Sequence, residues 1–236
     1  MELICFTSSK GGVGTSHLVG KISSAASKMG YKCLCVDLHS KRRTLDIYLD
    51  VEDSFVYDIN DVLDDRCTFE DALVKADDNI FFLPCSQSKD ICDYSKVYTI
   101  LKEHSANYDF VFADAPYDKC DADSKVVLVT TCDSASLRCT EKLCWDLQNN
   151  QKYLIINKID VDLIINEINP NVDDICDMCA VPPIGLVPYN REYFNQKTPN
   201  EMCDMAFQNI VKRLNNIPAL AVEFNSKKSK KIFSRR

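Results

Sequence analysis

The sequence predicts an α/β fold, a mostly parallel β-sheet flanked by helices on both faces. Three observations carry that prediction. Apolar runs of strand length recur at 2–7, 32–37, 79–83, 109–114, 126–130, 152–157 and 183–187. Amphipathic helical patterns lie between them, clearest at 135–148 and 202–214, and strands alternating with helices favour parallel pairing through crossover connections. The distinctive polar segments follow strands: the loop at 8–16, Asp37 onward, Asp114 onward and Asn157 onward. Parallel sheets bind ligands at those C-terminal strand ends, beside a topological switch point. With 236 residues and 46% apolar content, the chain can bury a full core. Composition breaks only near Asn225, so one domain is expected over 1–225, followed by a basic tail at 226–236.

The first strand leads directly into the most informative segment. Leu3-Ile4-Cys5-Phe6 is followed by Ser8-Ser9-Lys10-Gly11-Gly12-Val13-Gly14-Thr15-Ser16, and a helical pattern begins near His17. Strand, glycine-rich loop and helix N-terminus make the layout of a phosphate-binding loop. Glycines let the backbone turn so that successive N–H groups converge on an anion, and the helix dipole adds to the attraction. Ser16 falls at the helix start, where a hydroxyl can hold a phosphate-bound Mg²⁺. Gly14-Thr15-Ser16 stands where Gly-Lys-Ser/Thr is usual. The lysine that reaches the outer phosphates is thus absent from position 15, and another stands early, at Lys10. A glycine turn that holds no ligand is the competing reading of the same residues.

The second and fourth runs end in Asp37 and Asp114. Each is a carboxylate at a strand end, suited either to a metal or merely to capping a turn. The sixth run ends in Asn157-Lys158-Ile159-Asp160, which spells the Asn-Lys-x-Asp signature of GTPases, whose aspartate pairs with guanine. Cys176-Asp177-Met178-Cys179 is a lone Cys-x-x-Cys; zinc needs two more ligands, so free thiols are expected. No positively charged leader precedes the first strand, and the thirteen cysteines are irregularly spaced. Both features point to a reducing compartment.

Charge separates the tail from the body. The last ten residues carry six of the 28 Lys and Arg and none of the 35 Asp and Glu, so the net charge of −7 becomes −13 without them. A body that acidic repels nucleic acid. In the tail, Ile232 and Phe233 sit among cations that include Lys230 and Lys231. Such a segment suits the surface of an anionic membrane, or serves as a solubilising basic end. The longest apolar runs, such as Val126-Val127-Leu128-Val129, are too short to span a bilayer.

With Lys10 included, the loop resembles the deviant Walker A motif, Lys-Gly-Gly-x-x-Lys-Ser/Thr, of the MinD/ParA family of P-loop ATPases. The resemblance continues in order along nearly the whole chain. It includes Val36-Asp37-Leu38-His39 through Arg43-Thr44-Leu45-Asp46, Phe55-Val56-Tyr57-Asp58 and Phe69-Glu70-Asp71-Ala72-Leu73. It goes on through Phe82-Leu83-Pro84-Cys85-Ser86-Gln87, Thr130-Thr131 with Ser136-Leu137-Arg138, and Gly185-Leu186-Val187-Pro188. The resemblance implies ATP and Mg²⁺ as ligands. It implies that Gly11, Gly12, Val13, Gly14 and Thr15 line the phosphates, that Ser16 ligates Mg²⁺, and that Asp37 and Asp114 support the metal. Lys10 matches the signature lysine that reaches a partner's phosphates across an ATP-sandwich dimer, and with Asp37 and Asp114 it forms the implied catalytic set. Asn157 lies where the family contacts adenine, and Pro188 opens a second base-side loop.

Departures from the pattern weaken the chemistry. Thr15 replaces a lysine, His39 stands where many members have a second Asp that sets up the attacking water, Thr44 replaces a common Asn, and Tyr117 follows Pro116 where small residues are usual. Phosphoryl transfer rests on positioning and charge stabilisation, so hydrolysis is expected to be weak or lost while binding survives. The implied function is spatial regulation of cell division or polarity by an ATP-dependent homodimer. The implied location is the cytoplasm, peripheral on the inner face of the cell membrane, alongside a division or polarity regulator. A pseudo-ATPase scaffold or localisation factor without nucleotide cycling is the rival.

Overall fold

The computed structural model describes residues 2–40, 42–147, 150–190 and 200–219. The tail at 226–236, including Lys230, Lys231, Ile232 and Phe233, lies outside the described residues. The contacts form two compact units, one of 2–7 with 15–126, the other of 8–14 with the described residues from 127 onward.

In the first unit the strands are β1 (Glu2–Thr7), β2 (Cys33–Asp37), β3 (Val74–Asp77), β4 (Ile80–Leu83) and β5 (Phe110–Asp114). Their order is β3-β4-β2-β5-β1. Pairing is parallel from β4 to β1, and only the edge strand β3 runs antiparallel, against β4. Every residue of β2 and β5 is buried, as expected for strands covered on both faces. The register sets Asp37 opposite Asp114 and Phe6 opposite Asp114, so the two strand-end carboxylates come together as neighbours. Helix α1 (Thr15–Lys28) buries Leu18, Val19, Ile22, Ala25 and Ala26, a stripe at the i, i+4 spacing of an amphipathic helix. Short helices α2 (Leu45–Tyr48) and α3 (Ile59–Leu63) and the longer α4 (Tyr94–His104) complete this unit. Phe6, Phe82, Phe110 and Phe112 form its fully buried aromatic core.

The second unit holds the loop Ser8–Gly14 and the strands β6 (Lys125–Thr131, from Val127 on), β7 (Gln151–Ile159) and β8 (Pro183–Pro188), in the order β6-β7-β8. Strands β7 and β8 are parallel. The helices are α5 (Ser134–Asp146), α6 (Val161–Ile165), α7 (Val172–Cys179) and α8 (Glu201–Leu214). Asp133, Asp160, Asn171 and Asn200 start them by accepting backbone N–H bonds at their N-caps.

All seven predicted strands are present. β3 was not expected: it is four residues long, and Lys75 and Asp77 are exposed, so it shows no apolar run. β7 runs two residues past the predicted end, so Asn157 lies inside the strand and not after it.

Gly185 marks a close approach of α8 to the sheet. A Cβ there would come within 2.5 Å of Ile210 and 3.3 Å of Ile155, both fully buried. Replacing Gly185 with Ala is expected to lower the unfolding free energy by about 1–3 kcal/mol, the usual cost of overpacking. Urea denaturation of G185A measures it, and an unchanged midpoint would show that Ile210 repacks freely.

Candidate functional site

The glycine loop is shaped by its own backbone and by β7. Gly12 and Gly14 adopt φ of 82° and 95°, the left-handed region that side chains disfavour. Gly14 is doubly constrained, because a Cβ there would stand 2.8 Å from Asn157 Nδ2. Asn157 is fully buried. Its Nδ2 donates to Val13 O at 2.8 Å, and its Oδ1 accepts from Lys158 N at 2.9 Å. Lys158 Nζ donates to Gly12 O at 2.6 Å. Two adjacent residues of β7 thus grip two consecutive carbonyls of the loop.

Lys10 is held elsewhere in the same unit. Its Nζ donates to Asp133 Oδ1 at 2.9 Å and to Ser136 Oγ at 3.1 Å. Partial burial pushes the Asp133 carboxyl up, but hydrogen bonds from Ser136, Thr131 and Lys10 outweigh it and hold the group well below the usual carboxylate range. A cavity of about 320 Å³ is lined by Lys10, Gly11, Gly12, Lys158, Asp160 and Tyr189, among others. Asp160 Oδ1 accepts from Asp162 N and Leu163 N, so one oxygen of the Asn-Lys-x-Asp aspartate caps α6. Pro188 is buried, and its carbonyl accepts from Cys203 Sγ; the next residue, Tyr189, reaches the cavity.

The remaining predicted site residues gather in the first unit. Thr15 and Ser16 open α1, and Thr44 Oγ1 donates to Ser16 Oγ at 3.0 Å. Asp37 is buried and braces the segment that follows it. Its Oδ1 accepts from His39 N, and its Oδ2 accepts from Thr44 N and Leu45 N. Cys85 Sγ also donates to Oδ1, at 3.7 Å. Arg43 locks the same segment through Asp46 Oδ2 at 2.6 Å, Cys85 O at 3.1 Å and the Phe55 ring.

Asp114 is the opposite case. It is fully buried, and neither carboxylate oxygen has a hydrogen-bond partner of good geometry. His39 Nδ1 lies 3.5 Å from its Oδ1 and 4.0 Å from Asp37 Oδ1. Burial pushes Asp114 up to about 6, the Asp37 charge adds to this, and His39 and Ser16 oppose it. Burial likewise raises Asp37. An orphaned buried carboxylate beside a serine hydroxyl fits a hard cation with oxygen ligands. Mg²⁺ commonly takes one or two carboxylates together with phosphate oxygens and water. Asp114 and Ser16 would hold it directly, while Asp37 is spent on the backbone.

Replacing Asp114 with Asn removes a buried charge that the chain does not satisfy. At pH 7, urea denaturation is expected to find D114N more stable than the natural chain by about 1–3 kcal/mol. The raised folded pKa fixes the sign with pH. Above pH 6 the native carboxylate is charged and the cost is complete; as pH falls from 6 through the unfolded pKa near 4 the advantage of D114N fades. A destabilised D114N at pH 7 would contradict this electrostatic account.

Sequence reasoning did not identify Lys158, Asp133 or His39 as site residues; it noted His39 as standing where a carboxylate is usual. Asn-Lys-x-Asp was the available signal for Lys158. Among the described residues no helix is long and apolar enough to cross a membrane.

Residues 2–135 match the family model of ATPase MipZ. The septum site-determining protein MinD of Helicobacter pylori (strain ATCC 700392 / 26695) is 29% identical over 255 residues, covering 96% of this chain and 95% of its own. MinD of Synechocystis sp. (strain ATCC 27184 / PCC 6803 / Kazusa) is 29% identical over 242 residues, covering 90% of this chain and 89% of its own. A solved chain of the MinC:MinD cell division protein complex of Aquifex aeolicus matches with a TM-score of 0.83 at 28% identity, over 94% of this chain and 100% of that one.

Proposed function

Because the chain belongs to the ATPase MipZ family, within the MinD/ParA group of ATPases, we propose that it is an ATP-binding regulator of septum placement or polarity whose hydrolysis is weak or lost. The loop geometry carries this reading. Two left-handed glycines, one of them in a place no side chain can enter, run directly into the N-terminus of α1. That arrangement favours a bound anion. In this reading Gly11, Gly12, Val13, Gly14 and Thr15 receive the phosphates, and Ser16, Asp114 and Asp37 form the Mg²⁺ side. The turn after Pro188 stands on the base side, whereas Asn157, expected there from the resemblance, is buried and spends its carboxamide on the loop.

Bound Mg²⁺ would neutralise charge on the outer phosphates and on Asp114. The chain's own residues do the rest. The loop orients the phosphates through its N–H groups, and Asp37 holds the 39–45 segment in place through three hydrogen bonds. Lys10, paired with Asp133 in the single chain, would exchange that partner for the phosphates of a second copy in a sandwich dimer. Two such chains would present two basic tails to the inner membrane surface, and avidity would then make attachment depend on dimerisation. The Aquifex aeolicus relative, solved together with MinC, supports a division regulator as the partner class.

One observation favours the scaffold variant of the same reading. Thr15 brings no charge to α1, and His39 faces Asp114 where a water-orienting carboxylate would stand. Calorimetric titration with ATP and with GTP, each with Mg²⁺, tests binding: micromolar ATP affinity with little response to GTP is the expected result. Tight GTP binding would point instead to Asp160 as a guanine reader, and binding of neither would leave a scaffold on an ATPase fold. In steady-state phosphate release, Thr15→Lys is expected to raise turnover at least tenfold. No gain would mean that His39 has already disabled the chemistry. Removing residues 227–236 is expected to abolish sedimentation with anionic liposomes while leaving ATP affinity unchanged.

A further inference from the structure

Lys158 belongs to none of the roles assigned so far, yet its placement is unusual. Its φ is 54°, a left-handed conformation at a residue that is neither glycine nor asparagine. The pairing of β7 with β8 shifts register between Ile156 and Ile159, and such bulges re-aim side chains. Here the irregularity turns the lysine onto the glycine loop. Its Cε lies 3.7 Å from the position a Gly14 Cβ would take, and its ammonium reaches Gly12 O at 2.6 Å. The loop's other lysine, Lys10, delivers its charge to the Asp133 carboxylate, whereas Lys158 sets its ammonium on a carbonyl of the loop itself.

We propose that Lys158 is a positioning residue that supplies, through the backbone, part of the positive potential that position 15 lacks. An ammonium on the Gly12 carbonyl draws electron density from the Gly12–Val13 peptide, making the Val13 N–H a stronger donor. Asn157 does the same, more weakly, to the Val13–Gly14 peptide through Val13 O. Two successive N–H groups of an anion nest are thereby polarised and fixed before any ligand arrives. The lysine need not touch a phosphate: its charge is felt along the loop.

The inference rests on the nucleotide-binding reading, and the test separates the two. Full-length protein with Lys158→Met, Lys158→Arg, Thr15→Lys and the Thr15→Lys/Lys158→Met pair is titrated with AMP, ADP and ATP. Amide hydrogen exchange of the loop is followed without nucleotide, and thermal melts confirm folding. K158M is expected to exchange its loop amides faster and to bind ATP and ADP about tenfold more weakly, or ~1.4 kcal/mol, with a smaller loss for AMP. K158R retains most of the affinity. Thr15→Lys restores ATP binding more in the K158M background than in the natural chain, which gives a nonzero coupling in the cycle. Equal losses for AMP and ATP would reduce Lys158 to a structural contact and overturn the proposal. An unaffected K158M overturns the role of Lys158 alone, and a natural chain that binds none of the three nucleotides overturns the reading beneath it.

Discussion

The hydrogen bond from the buried Asn157 carboxamide to the Val13 carbonyl is the constraint on which the loop's shape depends. A carboxamide with no access to water must find partners within the protein, since an unsatisfied buried polar group costs about 1–3 kcal/mol. Asn157 finds them in the loop and in the next peptide of its own strand. Meeting that demand brings its Nδ2 to 2.8 Å from where a Gly14 side chain would begin. Only glycine fits position 14, where the backbone is left-handed and a Cβ would meet Asn157. A polar side chain in the core of one strand thus dictates both the composition and the curvature of a loop 144 residues earlier.

A second constraint acts at the ends of β2 and β5. Parallel pairing in register sets Asp37 and Asp114 side by side in a buried place, where two like charges are hard to keep. The chain resolves the two differently. Asp37 is surrounded by backbone donors and becomes a brace for the segment from His39 to Leu45. Asp114 is left with a nearby imidazole and no good hydrogen bond. That asymmetry separates a structural carboxylate from one held available, and functional sites commonly retain such local cost against the stability of the whole.

Much of this was legible in the sequence, and the remainder was hidden for physical reasons. Apolar runs located seven strands because buried parallel strands are continuous in hydrophobicity. The edge strand β3 escaped because its Lys75 and Asp77 face solvent. The loop motif located Gly14 and Ser16, since spacing along the chain is what such a motif records. It did not reveal that Lys10 pairs with Asp133, a contact 123 residues away, or that Lys158 turns back onto Gly12. The left-handed backbone at Lys158 carries no compositional signal, because glycine or asparagine would have been the expected marker. His39 was visible as a missing carboxylate, but its approach to Asp114 depends on the Asp37 brace, which is set by folded geometry.

Two of the four departures from the family pattern, Thr15 and His39, are best understood together. Relative to that pattern, Thr15 removes one positive charge and His39 removes one negative charge, so the formal charge summed over the two positions is unchanged. What changes is where the charge lies. Affinity for a polyanion responds to the summed potential over the whole site, to which, on the inference above, Lys158 would add through Gly12. Phosphoryl transfer responds to charge at particular points, the outer phosphate and the attacking water, and those are the two points altered. On the function proposed above, such a chain would hold a nucleotide while turning it over weakly or not at all. Occupancy would then set the state of the protein, and release in place of hydrolysis would end it.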